Sequence, residues 1–246
     1  MSLTEIVLKL KIISILIKTA IVVLAPLAIF NAVSRVLPKV LNHYHIYLSQ
    51  EVYSILILLV NILVIFICLK LIYNENKSLS FEKTLKRLRF KKITRKGTYA
   101  ILAIYLLSGI LGACIKLFLE YLKVPFNIAE RLEITQNSGL KENPILLILS
   151  ILLILIIGPL EEEILFRGYL LPKQEVVLGK FAWVLNGFAF TLAHFLVYDI
   201  PSLLIFSPFP FLVAYMVQKH QNTSIGLIAH MLVNTGFIIR LFVEIP

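Results

Sequence analysis

The chain has a single aspartate, Asp199, two cysteines and one tryptophan, and only 15% of its 246 residues are charged. Each scarcity excludes something. So little charge, with 59% hydrophobic residues and a mean hydropathy of +0.90, excludes a soluble globular domain of this length and indicates a polytopic membrane protein. Cys68 and Cys114 each lie in an apolar stretch, so neither a disulfide framework nor a thiolate metal site is expected, and both read as small core residues. One aspartate excludes an aspartyl dyad, the absence of GxSxG excludes the common serine nucleophile, and the absence of HExxH removes the helical zinc signature. No internal repeat or low-complexity tract interrupts residues 1–246, so one transmembrane domain is expected.

Apolar runs are what the sequence has in quantity. A bilayer crossing needs about 20 apolar residues, which predicts an all-α helix bundle of about seven spans (six to eight). The expected spans are 13–35, 52–73, 98–122, 144–166, 181–198, 201–217 and 223–243. The first is long and lacks a small-residue cleavage site, so no removable signal peptide is expected. The loop at 74–97 carries nine basic residues from Lys77 to Lys96 against few acids, which predicts that it is cytoplasmic, with the amino terminus on the same side. Within it "SFEKTLKRLRFKKI" spaces Phe81, Leu85 and Leu88 as an interfacial amphipathic helix would, suited to anionic headgroups. Membrane lipids thus account for the net charge of +10 without nucleic acid, and the plasma membrane is the expected location.

Polar groups inside apolar spans need partners and therefore mark function. Lys116 has Glu120 one turn later, and Asn61 and Ser108 are expected to bond to neighbouring helices. The remaining groups fall in the carboxyl-terminal part. In "GPLEEEILFRGY" Glu163 and Arg167 are one helical turn apart and can pair, whereas Glu162 points about 100° away and must serve something else. Asn186, Phe190 and His194 recur every fourth residue, and His230 and Asn234 share another helix face. A carboxylate beside an imidazole can activate water, and a second imidazole with an amide can stabilise an oxyanion, so hydrolysis is the chemistry these groups suit. Glu162 is the expected base, Glu163 the arginine-held support, and Glu161 a spare interfacial charge.

Glu162-Glu163-Ile-Leu-Phe-Arg167, Phe190-Thr-Leu-Ala-His194 and His230-Met-Leu-Val-Asn234 resemble the EExxxR, FxxxH and HxxxN motifs of the CPBP family, the CAAX-protease and bacteriocin-processing (Abi) intramembrane peptidases. The resemblance covers about 144–240. It implies an intramembrane endopeptidase acting on a membrane-associated peptide or protein, with Glu162 and His194 activating water and His230 and Asn234 binding the oxyanion. Glu163, Arg167 and Phe190 are assigned support or substrate binding. A metal-free glutamate mechanism without cofactor is favoured; zinc, if used, would take Glu162, His194 and His230. The same family includes bacteriocin-immunity proteins, so a non-proteolytic membrane regulator is the alternative.

Overall fold

A computed structural model of the chain describes residue 7 and residues 10–21, 43–44, 49–75, 80–126, 143–195 and 198–243. Among these the architecture is all-helical: α1 (10–21), α2 (Gln50–Glu75), α3 (Phe81–Arg87), α4 (Arg95–Tyr121), α5 (Pro144–Leu152), α6 (Gly158–Glu163), α7 (Leu171–Leu178), α8 (Ala182–Ala193), α9 (Ile200–Phe206), α10 (Pro208–His220) and α11 (Thr223–Val243). Side chains such as Leu59, Phe66, Leu106, Ile110 and Phe118 point outward while Ile104, Leu170, Phe190 and Val213 are buried. Helices apolar on both sides belong in lipid, where every backbone group must bond within its own helix. The chain is an integral membrane protein.

Among the described residues four stretches are long and apolar enough to cross a membrane: Ser54–Asn74, Arg95–Tyr121, Pro144–Ala193 and Ile200–His220. Seven spans are therefore not reproduced. The first expected span lies beyond residue 21 outside the described residues, as does Lys77 of the basic loop. The fourth and fifth merge into the 50-residue stretch Pro144–Ala193, within which the chain reverses at Gly179 (φ +53°). Glycine adopts that backbone without a Cβ penalty. Beyond the reversal α8 lies along α7, Asn186 Nδ2 donating to Gln174 Oε1 at 2.9 Å and to the Phe166 carbonyl at 2.8 Å. Gln174 reaches on to Thr19 of α1 at 3.3 Å. Asn186 thus braces three helices rather than continuing a polar stripe toward His194.

Two stretches of the Pro144–Leu178 leg are π-helical, Leu153–Ile157 and Ile164–Leu170, and each is followed within two residues by proline, Pro159 and Pro172. Proline offers no N–H and crowds the preceding turn, so the turn widens. Gly158 permits the first widening, since a Cβ there would lie 2.9 Å from the Leu153 carbonyl. The glutamates sit between the two wide turns.

Several expectations from the sequence change. Asn61 and Ser108 bond to carbonyls of their own helices, at Ile57 and Tyr105, because a short polar side chain reaches the preceding turn more easily than a neighbour. Lys116 does pair with Glu120, at 3.7 Å. Cys68 is buried but Cys114 is exposed, on a lipid-facing side of α4. The basic loop folds inward after one short helix. Leu88 is fully buried against Gly168, where a Cβ would approach it to 2.6 Å, and Arg89 pairs bidentately with Glu175 at 2.7 and 2.9 Å. Thr223 Oγ1 donates to the Leu88 carbonyl and Asn222 receives the Lys91 N–H, so the loop is stitched to the start of α11.

Candidate active site

Glu163 and Arg167 are both fully buried, with Arg167 Nη1 donating to Glu163 Oε1 at 3.0 Å. A buried charge needs this much compensation and more. Arg167 Nη2 adds a bond to the Pro210 carbonyl at 3.2 Å, and its guanidinium lies 4.2 Å from the centre of the Phe190 ring. The same ring also stacks with the His194 imidazole, at 4.8 Å with 26° between planes. Glu163, Arg167 and Phe190 are all fully buried.

His194 is the carboxyl-terminal cap of α8, and its Nδ1 lies 2.9 Å from the Phe190 carbonyl. A carbonyl only accepts, so Nδ1 carries the proton and Nε2 of the neutral ring keeps its lone pair. Nε2 faces Glu162 Oε1 at 3.9 Å. On the other side His230 Nε2 stands 3.7 Å from Glu162 Oε2, while His230 Nδ1 is bound to Glu163 Oε1 at 3.3 Å. Neither gap to Glu162 is a hydrogen bond, but two groups each about 2.8 Å from one water oxygen can be up to about 5.6 Å apart. Both gaps suit a shared water or substrate oxygen. Glu162 is the reachable carboxylate, its side chain 27% exposed against 0% for Glu163. Glu162 Oε2 is itself buried and has no hydrogen-bond partner among the described residues, with His230 Nε2 near it at 3.7 Å.

The distinction between the two glutamates drawn from a 100° step is thus present in the structure. Each carboxylate has an imidazole, and one imidazole, His230, touches both. Glu161, expected at the interface, is instead buried at 8% exposure, because the helix continues past it as a buried π turn. Asn234 lies one turn beyond His230, its amide donating to the Ile154 carbonyl at 2.7 Å. Asp199 accepts from the Ser202 N–H as the cap of α9, a structural use of the single aspartate. A cavity of about 400 Å³, lined by Lys180, Trp183, Tyr215, Gln218 and Lys219, lies at the ends of α7 and α10 and includes none of the motif residues.

This arrangement can be compared with known families. Residues 144–236 match the family model Type II CAAX prenyl endopeptidase Rce1-like. The matched segment is under half of the chain and contains all three motifs, so the chain is similar there to the CAAX-type proteases that those motifs resemble. No curated protein and no solved structure matches the chain.

Gly226 escaped the sequence reading, although it precedes His230 by one turn on the same face. A Cβ at Gly226 would collide with Glu163 Oε2 and come within 3.0 Å of Val213. That oxygen belongs to a carboxylate already held by Arg167 and His230, so it has nowhere to retreat. Gly226→Ala is expected to cost about 1–3 kcal/mol by overpacking, read as a lower thermal midpoint, together with weaker cleavage as α11 is pushed off the glutamates. An unchanged midpoint and rate would contradict this close approach.

Proposed function

We propose that the protein is an intramembrane endopeptidase of CAAX type, hydrolysing a peptide bond in a membrane-associated peptide or protein. The observation that carries this is Glu162, partly exposed and without a hydrogen-bond partner on Oε2 among the described residues, between His194 Nε2 and His230 Nε2. A water bonded to Glu162 Oε1 and His194 Nε2 gives a proton to the carboxylate as its oxygen attacks the carbonyl carbon. The carbonyl π electrons move to oxygen, and the oxyanion is met by His230 Nε2, a donor there when the ring is doubly protonated and held through Nδ1 by Glu163. Collapse breaks the C–N bond, and the proton on Glu162 passes to the leaving amine. His230 lies seven residues into α11, about 10 Å from the end of the bundle that carries the basic loop, a depth an extended peptide can reach from an aqueous face.

Seven crossings with a cytoplasmic amino terminus, in the plasma membrane, remain our proposed topology, supported by the basic loop. The mechanism is proposed to be metal-free.

The test is cleavage by the purified protein in lipid vesicles, using isoprenylated and unmodified peptides ending in a CAAX sequence. Release of the last three residues from the isoprenylated peptide, undiminished by a chelator, is expected. Cleavage of neither form, nor of peptides from cell membranes, would overturn the peptidase reading; activity lost with chelator and regained with zinc would overturn the metal-free one.

A further inference from the structure

The amide of the motif position Asn234 is bound to a main-chain carbonyl. Its amide nitrogen is 2.7 Å from the carbonyl of Ile154, two turns before the glutamates. The reason is in the backbone of the wide turn. Gly158 N–H, which in an α-helix would bond to Ile154, bonds instead to Leu153. The next residue that could serve Ile154 is residue 159, five positions on, and it is proline, with no N–H to give. The Ile154 carbonyl is thus left without a helical partner in an apolar segment where no water is at hand, a costly state.

We infer that Asn234 is a positioning residue: it supplies from α11 the hydrogen bond that Pro159 denies to Ile154, and so clamps α11 against the glutamate-bearing helix. The clamp works with a second tie one turn away, His230 to Glu163. Two ties on one face fix both the height and the rotation of α11, and with them the 3.7 Å gap between His230 Nε2 and Glu162. Asn234 then serves hydrolysis through the Ile154 carbonyl, with one of its two amide N–H groups; in this respect the inference rests on the peptidase reading. Pro159 has a matching purpose, since it keeps the carbonyl free for a partner on another helix.

The inference predicts a suppressor. Asn234→Ala leaves the carbonyl bare, and the thermal midpoint in detergent falls by about 5 °C. Cleavage falls at least about 100-fold, mainly in kcat, because the reacting groups are misplaced more than the substrate is released. Adding Pro159→Ala to that variant gives Ile154 an N–H from its own helix. The double variant is expected to regain most of the midpoint and at least about tenfold in kcat over Asn234→Ala. A double variant no more stable than the single one would overturn the clamp. A regained midpoint with kcat still at the Asn234→Ala level would overturn the positioning role and give the amide to the oxyanion. The thermal comparison needs no substrate, so it decides the clamp even if the unaltered protein cleaves nothing, a result that would count against the peptidase reading alone.

Discussion

Glu162→Gln is expected to lower the rate of peptide cleavage by about 1,000-fold or more, within the range a general base contributes and at its upper part because the same group later returns the proton. The substitution keeps shape and removes only the ability to accept a proton. Glu162 is the carboxylate that a substrate can reach, and no described residue bonds to its Oε2, so the fold loses nothing that the amide fails to replace. Thermal unfolding of the variant should match the unaltered protein within a degree or two. Single-turnover cleavage of a fluorogenic peptide in vesicles, beside that unfolding curve, is the measurement. Retention of cleavage within tenfold would remove Glu162 as the base and, with it, the chemistry built on the two imidazoles. A membrane regulator that never hydrolyses a peptide would instead keep its cellular effect in this variant.

The different partners of the adjacent glutamates were legible in the sequence because they depend largely on helical geometry. A 100° step and a four-residue pairing to Arg167 are visible in one line of residues. What each imidazole attends to was not legible, since that depends on how three helices meet. His230 bonds to Glu163 and faces Glu162, a double duty that no spacing encodes. Phe190 shows the same limit: its place before His194 is a motif, but the guanidinium over its ring comes from a residue 23 positions earlier. The wide turns were half legible. Pro159 and Pro172 announce an interruption, and local sequence cannot say whether a helix answers proline by kinking, ending or widening. The all-helical class followed from composition alone, whereas the number of crossings depended on where long apolar runs divide. The reversal at Gly179 is a single residue inside fifty that hydropathy reads as continuous.

The second large effect concerns the buried pair, where the lesion should fall on the fold first. Arg167→Met leaves the Glu163 carboxylate buried with only His230 for company, and Glu163→Met leaves a guanidinium buried against Phe190 and one carbonyl. Breaking one half of a buried ion pair costs about 3–5 kcal/mol, enough to strip most of the protein from the membrane fraction of an expressing cell. Removing both charges is a different case, because the desolvation cost of each disappears with it and two methionines fill comparable volume. Glu163→Met with Arg167→Met should therefore accumulate and unfold near the temperature of the unaltered protein. It should still cleave at least about 100-fold more slowly, since His230 Nδ1 has lost the carboxylate that orients its ring. Thermal unfolding of the three variants, read beside their cleavage rates, separates the pair's contribution to the fold from its contribution to the reaction. If the double variant cleaves at the normal rate, the pair is structural only, and orientation of His230 must come from elsewhere. If it is no better folded than either single variant, the cost lies in packing around Gly226 and Phe190 and not in the orphaned charge.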